Sequence, residues 1–151
     1  MAKALIVYAT RTGKTEAIAQ KIAEGIKSTG VEVKVAQAKT ISRLDELLGY
    51  DGYVFGSPTY HGEMMTEMKT LLFMAEKANL EGKIGGAFGS YGWSGEAPDR
   101  IYQTLKNIFN LKLPNSALKI KSSFSSIGDT HQALIYGQEI GQMIKAQKTN
   151  L

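Results

Sequence analysis

Ala4-Leu5-Ile6-Val7-Tyr8-Ala9-Thr10-Arg11-Thr12-Gly13-Lys14-Thr15 runs from an unbroken apolar segment straight into hydroxyl, basic and glycine residues. Behind it, Ile18, Ile22 and Ile26 recur at helical spacing, so the stretch reads as strand, turn and amphipathic helix. A turn of this composition at a helix start offers backbone N–H groups, side-chain donors and the positive end of a helix dipole to one anion. Taken alone, it is equally a helix start capped by Thr10 or Thr12 with no ligand. Gly13-Lys14-Thr15 also matches the tail of the triphosphate-loop pattern G-x-x-x-x-G-K-[ST], but the first glycine of that pattern falls on Tyr8. The turn is too short to wrap a β-phosphate, and no later apolar strand ends in a convincing magnesium-binding aspartate.

The same alternation continues outward from this unit. Strands are predicted near Lys3–Tyr8, Glu32–Gln37, Gly52–Gly56, Lys83–Phe88 and Ala117–Ser123, several apolar enough to be buried on both faces. Helices are predicted near Lys14–Thr29, Leu44–Leu48, Met64–Ala78, Pro98–Phe109 and Thr130–Lys148, with Gly30 and Gly82 as stops and fraying from Gln147 to Leu151. Strand and helix in strict alternation imply an α/β fold, a parallel sheet with helices on both faces and right-handed crossovers. With 151 residues, 43% of them hydrophobic, a single domain over 1–151 is expected.

Composition removes whole classes of chemistry. The absence of cysteine excludes disulfides, thiolate nucleophiles and cysteine-ligated metal sites. With His61 and His131 the only histidines, no metal site is expected. No segment approaches the ~18 apolar residues of a membrane helix, and the N-terminus enters a strand without a signal-peptide pattern, so a soluble, cytoplasmic protein is expected. The net charge of +4 raises nucleic acid as a partner. The lysines are scattered, however, and the denser set Lys106, Lys112, Lys119 and Lys121 lacks interleaved aromatics. Neither nucleic acid nor membrane is expected as a partner.

In open α/β sheets ligands bind outside the carboxyl ends of the strands. The loop after the third strand is Ser57-Pro58-Thr59-Tyr60-His61-Gly62, and the fourth is followed by Ser90-Tyr91-Gly92-Trp93-Ser94-Gly95. Both combine hydroxyls, glycine and large aromatics, as a planar heteroaromatic ligand requires: faces to stack on and backbone groups to meet its edge. Trp93 is the only tryptophan.

With these three loops, the chain resembles the flavodoxin family, and specifically the flavodoxin-like domain of the flavodiiron (A-type) flavoproteins. The turn fits T-x-T-G-x-T, and the two aromatic loops follow in the right order over essentially the whole chain. The resemblance implies a flavodoxin-like three-layer sandwich, a five-stranded parallel sheet in order 2-1-3-4-5, and noncovalent flavin mononucleotide (FMN). It implies that Thr10, Arg11, Thr12, Gly13, Lys14 and Thr15 hold the phosphate. Pro58, Thr59, Tyr60, His61 and Gly62 would edge the isoalloxazine, and Ser90, Tyr91, Gly92, Trp93, Ser94 and Gly95 would close over it. The implied function is electron shuttling between redox proteins, a reductase and an acceptor, with no catalytic residue. The chain has no room for the diiron domain of flavodiiron proteins, and its charge is opposite in sign to that of typical acidic flavodoxins.

Further expectations attach to single residues. A backbone flip at Gly62, or at the His61–Gly62 peptide, would present a carbonyl to the protonated flavin N5, since glycine permits both conformations. Arg11, Lys14 and the net charge of +4 predict a less negative potential for the second electron than in an acidic relative. His61 is read as a solvated loop residue rather than a redox-linked one. Met64, Met65 and Met68 are read as core at helical spacing, and Glu96 and Asp99 as helix-start charges. The competing function is a flavin enzyme that takes hydride from a nicotinamide cofactor and reduces quinones.

Overall fold

The strand that carries the opening motif is buried from Ala4 to Tyr8, which places it in the middle of a sheet covered on both faces. A computed structural model describes residues 1–121 and 127–149, the side chain of Ile127 excepted. Ser122 and Ser123 of the predicted fifth strand, and Asn150 and Leu151 of the predicted frayed end, therefore lie outside the described residues. In chain order the elements are β1 (Lys3–Tyr8), α1 (Lys14–Lys27), β2 (Glu32–Gln37), β3 (Gly52–Gly56), β4 (Thr59–Tyr60), β5 (Glu63–Met64), α2 (Thr66–Glu76), β6 (Ile84–Tyr91), α3 (Glu96–Asn107), β7 (Leu118–Lys121) and α4 (Ile127–Thr149). The main sheet runs β2-β1-β3-β6-β7, and every neighbouring pair is parallel. With the β4–β5 hairpin set aside, this is the order 2-1-3-4-5 that the resemblance implied.

Side-chain alternation along β1 divides the core. Ala4, Ile6 and Tyr8 pack with Ile18, Ile22 and Ile26 of α1 and with Ile140 and Ile144 of α4. Leu5, Val7 and Ala9 face Met68, Leu71 and Leu72 of α2 and Ile101 and Leu105 of α3. The result is three layers, α1 with α4 on one face and α2 with α3 on the other. The methionines pack as core but not at helical spacing: Met68 of α2 is fully buried, while Met64 and Met65, partly buried against the same cluster, precede the helix.

Several predicted bounds shift, the last two helices starting earlier, at Glu96 and Ile127, and three of the differences have a clear cause. Leu44–Leu48 is no α-helix: short 3-10 turns at Ala38–Thr40 and Leu44–Leu47 make the crossover, as expected of a segment too short for stable i→i+4 bonding. The helix predicted from Met64 begins at Thr66, because Met64 pairs with Thr59 in the hairpin. The fourth main strand continues past Phe88 to Tyr91, drawn out by pairing with β7 from Phe88↔Leu118 to Tyr91↔Lys121.

The edge of the sheet is interrupted between Lys112, whose carbonyl accepts the Gly85 N–H at 2.8 Å, and Leu118. A side chain fills the gap. The Tyr136 hydroxyl accepts the Ala87 N–H at 3.2 Å and donates to the Ser116 carbonyl at 3.1 Å. Tyr136→Phe would leave the buried Ala87 amide without its acceptor, and an expected loss of about 1–3 kcal/mol in chemical denaturation follows. Burial pushes this hydroxyl well above the ordinary tyrosine range, with the Ala87 hydrogen bond opposing. Because the folded-state pKa is raised, the contribution is complete below the unfolded value of about 10 and declines as pH rises through it. The alkaline loss of stability should accordingly be smaller in Tyr136→Phe than in the parent protein.

Candidate functional site

The turn after β1 does not use a threonine as its cap. Gly13 is the N-cap residue of α1, with φ 91° and no side-chain cap hydrogen bond. Thr10 instead turns its hydroxyl inward to accept the Gly13 N–H at 2.9 Å. The left-handed conformation, cheap only for glycine, aims the first turn of α1 outward without a capping side chain. Arg11, Thr12, Gly13 and Lys14 are all exposed around it. An uncapped helix start carrying partial positive charge, flanked by two cations, suits an anion.

The segment after β3 is a hairpin, which the sequence reading missed. Thr59 pairs with Met64 and Tyr60 with Glu63, leaving His61 (φ 52°) and Gly62 (φ 76°) as a two-residue loop. Positive φ at both central positions is the type I′ signature, and His-Gly between pairing residues was the available signal, weaker than Asn-Gly. Ser57 braces the base of the hairpin: its Oγ accepts the Met65 N–H at 2.9 Å and donates to the Pro58 carbonyl at 3.0 Å. Pro58 is buried, Thr59 and Tyr60 half-buried, and His61 exposed.

The third segment begins inside β6, so Ser90 and Tyr91 are strand residues rather than loop. The Ser90 hydroxyl lies 3.0 Å from that of Thr15, both buried, and ties the third segment to the first. Arg11 ties the first to the second, its guanidinium 5.1 Å from the Tyr60 ring centre. The start of α3 ties the third to the second, since the Ala97 N–H donates to Thr59 Oγ1 at 2.9 Å. Gly92 is exposed and Trp93 is 98% exposed, so the tryptophan stands at the rim and not against the other loops. Ser94 and Gly95 are half-buried.

Charge at the mouth is mixed. Glu96 and Asp99 both stand in the first turn of α3, as helix-start charges do, and Asp99 pairs with Lys119 at 2.9 Å. The Ser94 hydroxyl, then the Glu96 amide, hold the Glu96 carboxyl below the usual range against some desolvation, with Arg100 and Lys119 adding to the effect. One of its oxygens, Oε1, is buried with no hydrogen-bond partner among the described residues. All three segments meet at the carboxyl ends of β1, β3 and β6, an anion-seeking helix start at one end and an aromatic rim at the other. That shape fits an elongated ligand with an anionic tail and a planar head.

Comparison with known proteins bears on the family and its cofactor. The family profile described as Flavodoxin matches residues 6–121. The chain belongs to the flavodoxin family. Its members bind FMN. Among curated relatives, the diflavin flavoprotein A 2 of Thermosynechococcus vestitus is 34% identical over 146 residues, covering 95% of the chain and 25% of that protein. The chain thus spans about a quarter of that relative's length. A solved flavodoxin from the domain Archaea superposes with a TM-score of 0.88 at 33% identity, covering 95% of this chain and 99% of that one. Rubredoxin oxygen:oxidoreductase from Desulfovibrio gigas gives a TM-score of 0.87 at 28% identity, covering 95% of the chain but 36% of the neighbour. Among the described residues, no helix is long and apolar enough to cross a membrane.

Proposed function

We propose that this protein is a noncovalent FMN carrier of electrons, its partners a reductase and an acceptor protein in the cytoplasm. The observation that carries the reading is the uncapped start of α1 behind Gly13, joined through the Thr15–Ser90 hydroxyl pair to the aromatic segments. When bound, the flavin supplies reversible uptake and release of electrons, while the protein supplies position and electrostatics. Thr10, Arg11, Thr12, Gly13, Lys14 and Thr15 would surround the phosphate. Pro58, Thr59, Tyr60, His61 and Gly62 would edge the ring, and Ser90, Tyr91, Gly92, Trp93, Ser94 and Gly95 would flank it, with Trp93 free to swing from its solvent position. On this reading a backbone carbonyl of the His61–Gly62 turn would hold a proton-bearing nitrogen at the ring edge.

A flavin spectrum tests the reading. The purified protein should be yellow, or become so with FMN, and mixing the loaded protein with NADH or NADPH should leave the visible band unbleached. Rapid bleaching would instead identify a nicotinamide-dependent reductase. A protein that takes up no FMN would overturn both.

A further inference from the structure

The two-residue turn at the tip of the hairpin is too costly to stand unaided. His61 is not glycine, yet it holds φ 52°, a conformation that costs of order 1 kcal/mol and persists only where neighbouring groups enforce it. The hairpin offers little enforcement of its own, because each of its strands is two residues long and an isolated hairpin is marginal in water. Its fixed points come from elsewhere. At the base, Thr59 receives the Ala97 amide. At the tip, one side chain reaches across from the next turn of α3: Arg100 Nε donates to the Gly62 carbonyl at 3.1 Å. The same Nε lies 3.7 Å from Glu63 Oε1, and Glu63 is held from the other side by Lys69 Nζ at 3.5 Å.

We propose that Arg100 is a positioning residue, an α3 tether that holds the His61–Gly62 turn in the shape that receives the flavin ring. The proposal rests on the FMN reading of the site for its ligand. Arg100 lies outside the three segments that carry the family resemblance and is half exposed, so it is not a structural core residue. Its point of attachment is specific. By fixing the Gly62 carbonyl, it anchors the end of the turn that leads into β5. Its hydrogen bond and ion pair go to Gly62 and Glu63 of the hairpin, so its influence should reach the ring end of a ligand and spare the phosphate end.

The test uses Arg100→Met in the full chain, with two readouts. In the flavin-free protein, amide hydrogen exchange at Gly62 and Glu63 should accelerate about fivefold on loss of one solvent-accessible hydrogen bond, while Leu105 in the interior of α3 keeps its parent rate. In titrations, affinity for FMN and for riboflavin, which lacks the phosphate, should fall by the same factor of about five. Unchanged exchange at the turn overturns the tether. A loss confined to FMN overturns it as well, because it would make Arg100 a distant phosphate counter-charge. If the parent protein bound neither flavin, the FMN reading would fail, and the exchange experiment would still decide whether Arg100 holds the turn.

Discussion

Gly137→Ala is expected to lower the thermal unfolding midpoint by about 10 °C, the equivalent of roughly 3 kcal/mol in a chain of this size. The two helices on one face of the sheet meet where neither has a side chain. A Cβ placed on Gly137 of α4 would land on the Ile22 carbonyl oxygen of α1, and one on Gly25 of α1 would land on the Leu134 carbonyl oxygen of α4. The obstacle in each case is backbone, so no rotamer change relieves it. Helix propensity pulls the other way, since alanine is favoured over glycine inside a helix by about 0.5–1 kcal/mol. The sign of the change therefore decides which effect governs. A midpoint that rises would show that the helices part without cost and that their close crossing contributes nothing to the fold.

Thr12→Asp is expected to reduce FMN affinity by roughly two orders of magnitude. Thr12 is exposed beside the uncapped start of α1, so a carboxylate there would face the phosphate of an FMN held as proposed, at an assumed separation of about 5 Å. One pair of like charges at that distance, at an effective dielectric of about 20, costs on the order of 3 kcal/mol. The new carboxylate would also accept the α1 N–H groups itself and so compete for the same donors. That second effect stabilises the empty protein, because an acid at a helix start is favourable by about 0.3–1 kcal/mol. Riboflavin binding should be unaffected. Equal losses for FMN and riboflavin would show that the phosphate does not sit at this turn, and the cradle assigned to Thr10 through Thr15 would have to be abandoned.

The parts of the fold that were legible in the sequence are those whose cause is local. β1, β2 and β3 match their predicted bounds because each is a short run closed by a glycine, a polar turn or both. The three candidate segments stood out because hydroxyls, glycines and aromatics cluster at strand ends, although several of those hydroxyls also serve the fold: Thr10 accepts the Gly13 amide, Ser57 the Met65 amide and Thr59 the Ala97 amide. What escaped depends on distant partners. The Thr15–Ser90 contact joins residues 75 positions apart, and the Arg100 tether spans 38. Nothing near Ser90 says that the strand continues to Tyr91; the pairing with β7 does. The competing reading, a start capped by Thr10 or Thr12 with no ligand, also could not be judged locally: the N-cap is Gly13, and the Thr10 hydroxyl accepts the Gly13 N–H.

The interrupted outer edge also bears on how strands of other copies could meet the sheet. A sheet border with a long row of unpaired amides and carbonyls invites another chain to add a strand. Here β7 carries Lys119 and Lys121 with their side chains exposed and is preceded by a break that a tyrosine has already closed. The opposite border, β2, exposes Glu32 and Lys34. Any strand arriving at either side would have to bury charge to gain a few backbone hydrogen bonds, so both borders of the described sheet discourage strand addition.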